Sequence, residues 1–236
     1  MWTKFLATIF LLSSGIATAD EALVRKNLQN KYPETTIESV KKTPYFGLYE
    51  VYMQKTIIYT DERADYVILG SVIDAKTRQN LTEQRMQELT KISFDTLPLS
   101  LAIKRVKGNG KRKMALFTDP DCPYCQKLEH DLVNVTDVTI YTFLFPIASL
   151  HPAAEEISKR IWCSRDRAAA YDSYMLQRVT PTAAPTCGNP VADLVQFGQN
   201  HKINSTPTLI YADGRVAPGA APAADVERML NTAASK

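Results

Sequence analysis

The chain lacks the features that mark membrane-spanning and nucleic-acid-binding proteins. After the first 19 residues, no stretch is apolar enough to span a bilayer, which needs about 20 apolar residues. The formal net charge of the 236 residues is only +3, and the lysines and arginines are scattered. The densest basic stretch, 104–113, contains Gly108-Asn-Gly110 and is typical of a solvated turn. No basic face with stacking aromatics is evident, which argues against binding to nucleic acid.

Histidine and cysteine are also scarce, which limits the metal chemistry open to the chain. None of the three histidines, His130, His151 and His201, has a sequence context that suggests catalysis. Two cysteines form a Cys-x-x-Cys pair, but a zinc site needs two further ligands. The chain has neither a second such pair nor a His pair. We therefore expect no metal and no cofactor, with zinc as a minor alternative.

Residues 1–19 are typical of a secretory signal. Lys4 supplies the positive start, residues 5–12 are apolar, and Ala17-Thr-Ala19 fits a small-residue cleavage site. The apolar run is too short for a transmembrane anchor. We predict cleavage after Ala19 and a soluble, exported chain of residues 20–236 with no membrane anchor.

The chain has four cysteines, and an even count of four permits three disulfide connectivities. Cys122 and Cys125 are separated by only two residues, so they are expected to bond with each other. That leaves Cys163 with Cys187 as a structural disulfide, which export permits. In the chain-entropy model, closing a loop of that length stabilises the fold by about 3 kcal/mol.

The motif Cys122-Pro-Tyr-Cys125 is the main indication of chemistry. It follows a strand-like run, 113–118, and begins a helix-like one. A helix N-terminus favours the thiolate of the first cysteine. Disulfide exchange needs one attacking thiolate and one resolving thiol, so we predict Cys122 as nucleophile and Cys125 as resolver. Tyr124 adds a partly apolar surface for substrate, while a purely structural disulfide is the alternative.

Residues 20–80 predict a small α+β domain. Its expected elements are a helix over 21–32 and strands over 36–43, 48–53, 54–60 and 66–74. A sheet of this size rarely buries enough core alone. Pairing of two copies through an edge strand would help and would cover the edge. The mostly polar segment 81–97 predicts a linker helix.

Residues 98–236 predict an α/β domain of the thioredoxin type with a helical insertion. The expected elements are a hairpin of 101–106 with 113–118, a helix over 123–134, a buried central strand over 138–145, helices over 152–163, 165–178 and 191–201, a hairpin around Asp213-Gly214, and a last helix over 224–233. The order of strand, Cys-x-x-Cys helix, strand, helices, hairpin and helix indicates this fold.

Two further features lie close to the motif in sequence or in the expected fold. Pro207 falls at the start of a predicted strand, one of the few places where a sheet accepts proline. In thioredoxin-like folds a proline at this place is cis and lies against the Cys-x-x-Cys site. Asp119 and Asp121 flank the motif, and they either cap the helix or oppose thiolate formation by repulsion.

An ordered set of motifs resembles the DsbC/DsbG family of bacterial periplasmic disulfide isomerases. The resemblance covers essentially the whole mature chain. It rests on Tyr59-Thr-Asp61 before Gly70, Phe117-Thr-Asp119 before the redox motif, Lys127-Leu128, Phe145-Pro146, Ile161-Trp-Cys163, Cys187, Thr206-Pro207, and Gly219 with Pro222.

The resemblance implies a V-shaped homodimer in which the N-terminal domains pair the two chains and two thioredoxin domains face an apolar cleft. Thr206 and Pro207 would hold the substrate backbone beside Cys122. The substrates would be misfolded or oxidised secreted proteins, and a DsbD-type membrane reductase would keep Cys122 reduced. The family also implies the Cys163–Cys187 disulfide.

One departure concerns the dipeptide between the cysteines. DsbC-type enzymes typically have Gly-Tyr there, whereas Pro123-Tyr124 is more similar to DsbG, whose members favour reducing single oxidised cysteines.

Three functions stay open from the sequence. The favoured one is reduction and isomerisation of non-native disulfides. A dithiol oxidase is the second, although a dimerisation-like domain would hinder re-oxidation by a DsbB-type partner. The third is a holdase chaperone that uses the cleft and needs no thiols.

Overall fold

The computed structural model describes residues 17–234, with side chains from Asp20 onward. The chain divides into two compact units at Met86/Gln87. Most of the predicted signal, residues 1–16, lies outside the described residues, and 17–19 form the first turn of a helix. No helix in 17–234 is both long and apolar enough to cross a membrane.

The first unit is a helix followed by a four-stranded antiparallel sheet. Its elements are α1 (Ala17–Lys31), β1 (Ile37–Lys42), β2 (Tyr49–Met53), β3 (Thr56–Thr60) and β4 (Val67–Ile68), and the strand order is β1-β2-β3-β4. Val24 and Leu28, one turn apart on α1, are fully buried and pack with Val51 and Ile58 of the sheet. This apolar stripe fixes the helix on the sheet.

Two details of this sheet differ from the sequence prediction. Gln54 and Lys55, expected to begin a strand, have φ values of 49° and 62°. They form the two-residue turn between β2 and β3, which requires positive φ at both positions. The strand predicted over 66–74 is only two residues long. It pairs with β3 through Tyr59 and Thr60, and its other edge has no partner strand within the described residues.

Helix α2 (Leu81–Leu89) begins in the first unit and crosses the division between the two units. The Asn80 side chain accepts a hydrogen bond from the Glu83 N–H at 3.0 Å, as an N-cap does. The buried Thr82 hydroxyl bonds the Tyr59 hydroxyl at 2.6 Å and the Val72 N–H at 2.9 Å. These contacts hold the start of the helix to the sheet of the first unit.

The second half of the predicted linker belongs to the second unit. It contains one short 3-10 helix, Phe94–Thr96, and another follows at Leu99–Leu101. Ile92, Phe94 and Leu97 are buried in the second unit's core. The helical part of the linker is therefore shorter than predicted, because these apolar side chains pack instead of continuing a polar helix.

The second unit has a thioredoxin fold, with a mixed sheet and helices on both faces, as predicted. The strands are β5 (Ile103–Lys107), β6 (Arg112–Thr118), β7 (Val138–Leu144), β8 (Thr208–Tyr211) and β9 (Val216–Pro218), and the helices are α3 (Pro123–Leu132), α4 (Ala154–Cys163), α5 (Arg167–Gln177), α6 (Val191–Asn200) and α7 (Ala223–Ala234). The strand order is β5-β7-β6-β8-β9, and only β6 and β7 run parallel. Helices α4 to α6 form the insertion.

The predicted hairpin of 101–106 with 113–118 is wrong. Strand β7 lies between β5 and β6, and Ile140 is opposite Arg105 on one side and Met114 on the other. The segment 138–145 was predicted as central because it is apolar on both faces, and it takes that place by separating two strands that are neighbours in sequence.

Strand β6 leads to the redox motif and is buried on both faces. Met114 and Leu116 pack into one core with α3 and α7, while Ala115 and Phe117 pack into another with α6. All four are at most 1% exposed. This double burial fixes the end of the strand at Thr118, from which the site begins.

Candidate active site

Cys122 is the N-cap residue of α3, with Pro123 in the first helical turn. Its own N–H donates to the Asp119 carbonyl at 3.1 Å, and its carbonyl accepts from the Cys125 and Gln126 N–H groups at 3.0 and 3.1 Å. The Cys122 thiol is therefore the side chain at the helix N-terminus. The backbone N–H groups of a first helical turn and the helix dipole favour a negative charge at this place.

The two cysteines of the motif are free thiols with opposite acidities. Hydrogen bonds, first from the Cys125 thiol and then from backbone N–H groups and Thr206, lower the pKa of Cys122 to about 5. Burial raises the pKa of Cys125 well above its ordinary value. The difference in exposure is small, since Cys122 is 5% exposed and Cys125 1%. Electrostatics, more than access, distinguishes the two thiols.

This pKa difference predicts a pH dependence for alkylation of the reduced protein. Because the folded-state pKa of Cys122 is depressed, its thiolate persists above about pH 5 and is lost as the pH falls through that value. We expect iodoacetamide to modify one cysteine with a rate midpoint near pH 5. Mass spectrometry should place that label on Cys122. A midpoint near 8.5, the ordinary thiol value, would contradict the prediction.

Thr206 and Pro207 lie beside the nucleophilic sulfur. The peptide bond between them is cis. The Thr206 carbonyl oxygen is 3.5 Å from Cys122 Sγ. Pro207 precedes β8, and its carbonyl accepts from the Gly219 N–H at 2.7 Å. The loop therefore places the Thr206 carbonyl next to the Cys122 thiol.

The other predicted site residues are Tyr124, in the first turn of α3, and the cysteines of the structural disulfide. The Tyr124 side chain is 67% exposed. Cys163, the last residue of α4, is bonded to Cys187, and their Cα atoms are 5.8 Å apart. Since these two sulfurs are bonded to each other, they cannot complete a zinc site with Cys122 and Cys125.

The sequence left the role of Asp119 and Asp121 open, and the structure gives neither of them as a helix cap. The fully buried Asp119 carboxylate accepts from the N–H groups of Asp121 (2.9 Å) and Ile147 (2.7 Å). Asp121 accepts from the Tyr174 hydroxyl and from Arg178. Both acids bind distant segments of the chain to the motif loop.

His151 was not recognised as part of the site. Its Nδ1 is 3.0 Å from Asp119 Oδ2, and the side chain is 22% exposed. The hydrogen bond that His151 donates to Asp119 is the largest cause that raises the pKa of His151, and the charges of Asp119 and Cys122 raise it further. His151 and Asp119 are 32 positions apart in the chain, and the sequence gave no signal of this pairing.

A second missed group is a buried ion pair under α3. Arg105 binds Glu129 through two hydrogen bonds of 2.8 and 2.6 Å, and the two side chains are 9% and 3% exposed. The buried Tyr171 hydroxyl donates to Glu129 at 2.8 Å and lies 3.3 Å from the Thr118 hydroxyl. Burial raises the pKa of Cys125, and Thr118 lowers it by a smaller effect. A polar network of Arg105, Glu129, Tyr171 and Thr118 therefore extends from the ion pair to the end of β6, close to Cys125.

Comparison with known proteins agrees with this site. A thioredoxin-like domain matches residues 99–234, and the N-terminal domain of disulfide bond isomerase proteins matches residues 15–83. A probable thiol:disulfide interchange protein DsbC of Bordetella avium is 40% identical over 207 residues, which is 88% of this chain and 73% of that protein.

The chain belongs to the DsbC family of thiol:disulfide interchange proteins.

More distant members and one solved structure extend the comparison. The DsbC protein of Escherichia coli K12 is 24% identical over 230 residues, covering 96% of this chain and 94% of that protein. A disulfide interchange protein from Neisseria gonorrhoeae is 42% identical, with a TM-score of 0.57 over 58% of this chain and 99% of that one. As a DsbC-family member, the chain is a disulfide isomerase and reductase, and nothing in the comparison supports an oxidase.

Proposed function

We propose that Cys122 is the nucleophile and Cys125 the resolving thiol of this isomerase. The observation that carries the assignment is the helix-capping position of Cys122, with its sulfur beside the Thr206 carbonyl and its pKa lowered. Cys125 is more deeply buried and its pKa is raised, so it holds its proton until a disulfide forms on its neighbour.

The reaction follows from these roles. The Cys122 thiolate attacks one sulfur of a substrate disulfide, so that a mixed disulfide forms and the second substrate sulfur leaves as a thiolate. Isomerisation is completed when another substrate thiolate attacks the mixed disulfide and releases Cys122. Reduction is completed when Cys125 loses its proton and attacks Cys122 Sγ, which leaves a Cys122–Cys125 disulfide and a fully reduced substrate.

Thr206, Pro207 and Tyr124 form the proposed substrate-binding surface. The backbone beside the cis bond pairs with an extended substrate segment, and the 67% exposed Tyr124 ring contacts its apolar side chains. The substrates are misfolded or oxidised secreted proteins. Oxidised Cys122–Cys125 needs an external dithiol, and a DsbD-type membrane reductase is the proposed source.

Refolding of scrambled ribonuclease tests the function. The reduced protein should speed recovery of ribonuclease activity above that given by the glutathione buffer. Thiol trapping in cells should find Cys122 mostly reduced. No recovery, or a mostly oxidised Cys122 in cells, would contradict the proposal and favour an oxidase.

The proposed domains are 20–80 for dimerisation, 81–97 for the linker and 98–236 for catalysis. Family matches over 15–83 and 99–234 and the division at Met86 support this organisation. The proposed location is the periplasm, with the signal removed after Ala19. Edman sequencing of protein from a periplasmic extract should begin at Asp20, and a later or earlier start would move the cleavage site.

A homodimer through the first unit is supported by the free edge of β4. The strand is flanked by Tyr66 and Leu69, which are 76% and 75% exposed, and Ile68 and Ile73 are about half exposed. An apolar edge of this kind is a template for pairing with another chain.

The dimer predicts a specific effect of charge at this edge. Light scattering should give the mass of a dimer for the mature protein and of a monomer for Tyr66→Glu/Leu69→Glu, because four like charges would meet across a twofold interface. Val106→Glu, at a 58% exposed apolar residue on the edge strand β5 of the second unit, is the control and should stay dimeric. A monomeric mature protein would contradict the proposal.

A further inference from the structure

The Asp119 carboxylate is a buried charge at the base of the motif loop. It is 0% exposed and receives hydrogen bonds from two backbone N–H groups and from His151 Nδ1. Because a carboxylate only accepts, Nδ1 carries the proton in the last of these bonds. A buried charge is costly unless it is paired as well as hydrogen-bonded.

This charge lies on the same tight turn as the nucleophile. The Asp119 carbonyl accepts from the Cys122 N–H at 3.1 Å, and the Asp119 carboxylate accepts from the N–H of Asp121, the residue before Cys122 in the chain. A Cys122 thiolate therefore forms on a turn that carries two acids, and nearby like charges disfavour the charged form. Arg178 lies 3.2 Å from Asp121, whereas His151 lies 3.0 Å from Asp119. Each acid thus has its own cationic or potentially cationic partner.

We propose that His151 is a positioning residue for disulfide exchange, whose imidazolium offsets the charge of Asp119 and thereby stabilises the Cys122 thiolate. The inference rests on the proposed role of Cys122. The hydrogen bond from the Ile147 N–H to the same carboxylate already holds residues 147–151 against the motif loop. The proposal therefore gives the His151–Asp119 bond an electrostatic role in addition to this structural one.

The proposal fixes the direction of a pH effect. The groups that face His151 are Asp119, Asp121 and Cys122, and all three raise the pKa of His151 above its ordinary value of 6.5. Its charge is therefore complete below pH 6.5 and is lost as the pH rises through the raised pKa. The Cys122 thiolate is formed above about pH 5. Between these limits thiolate and imidazolium coexist, and the nucleophile is best stabilised.

The test is a titration of the Cys122 thiolate by its ultraviolet absorbance in the reduced mature protein. His151→Gln keeps a hydrogen-bond donor but removes the charge, and we expect the pKa of Cys122 to rise by about one unit. Asp119→Asn alone should lower the pKa of Cys122. When His151→Gln is added to Asp119→Asn, the pKa of Cys122 should rise by clearly less than it does when His151→Gln is made with Asp119 present. His130→Gln, on the exposed side of α3, is the matched control and should change nothing.

Two results would overturn the inference. One is an unchanged Cys122 pKa in His151→Gln, even if its melting temperature falls, since that is what a purely structural bond gives. The other is a rise of the Cys122 pKa on His151→Gln that is equally large with Asp119 and with Asp119→Asn. The titration needs no substrate, so it is independent of the ribonuclease assay that tests the proposed function.

A second measurement avoids any change at His151. Because the coupling of two charges is reciprocal, the pKa of His151 measured by NMR should fall when Cys122→Ser removes the thiolate. The same pKa in the reduced protein and in Cys122→Ser would contradict the proposal, whatever the folding of the His151 variant.

Discussion

Replacement of Cys122 with serine is expected to abolish isomerase activity and reduce the recovery of scrambled ribonuclease to that of the glutathione buffer. Serine is close in size to cysteine and is a favoured N-cap residue, but its hydroxyl is not ionised near neutral pH and cannot form a mixed disulfide. The loss should therefore occur without loss of folding. Circular dichroism and the ribonuclease assay measure the two effects separately.

The matched variant is Cys125→Ser, which keeps the nucleophile and removes the resolver. It should still attack substrate disulfides but accumulate the mixed disulfide, which non-reducing electrophoresis detects as a covalent complex. Reduction of substrates should fall more than isomerisation, because isomerisation can be completed by a substrate thiolate. Full ribonuclease recovery with Cys122→Ser would instead favour the holdase interpretation.

Replacement of Glu129 with alanine is expected to destabilise the second unit by about 3 kcal/mol, the low end of the cost of breaking a buried ion pair. The change removes the bidentate partner of the Arg105 guanidinium, which is 9% exposed, and leaves it with the single ion pair to the half-exposed Asp172 at 2.9 Å. Urea unfolding followed by tryptophan fluorescence measures the effect. Trp162 is the only tryptophan after residue 19 and lies in the second unit, so the signal is specific to it.

Two controls separate the effect of weakening the pairing of the buried Arg105 charge from the loss of an ordinary surface contact. Asp131→Ala breaks an exposed Lys127–Asp131 pair on the same helix and should cost less than about 1 kcal/mol. Arg105→Met/Glu129→Leu removes both charges and should recover most of the stability lost in Glu129→Ala. If Glu129→Ala were no more destabilising than Asp131→Ala, the ion pair would contribute little to the fold.

The redox motif was found from sequence because its parts are local. The spacing of Cys122 and Cys125, the preceding strand and the following helix all lie within about twenty residues. The cis proline was expected only through family resemblance, since most X–Pro bonds are trans. His151 and the Arg105–Glu129 pair were missed because their partners are 32 and 24 residues away. A single His in a loop or a single Glu in a helix carries no signal of which side chain it faces.

The wrong hairpin has the same origin. Strands β5 and β6 are joined by a short Gly-Asn-Gly segment, which locally favours direct pairing. Both faces of β7 are apolar and can be buried only by segments distant in sequence, so this strand lies between β5 and β6. The prediction of a central strand over 138–145 and the prediction of a hairpin of β5 with β6 both concerned the neighbour of β6 in the sheet. Burial of both faces of β7 decided that β7, and not β5, takes this place.

The sequence by itself determined the chemistry, the fold class and the order of the elements, since cysteine spacing and apolar periodicity are local properties of the chain. Tertiary structure decided which strands are neighbours and which charges meet. It brought Asp119 to His151, Glu129 to Arg105, and the Thr206 carbonyl to within 3.5 Å of Cys122 Sγ. These contacts join distant segments, and only the packing of the whole unit fixes the distances on which their electrostatic effects depend.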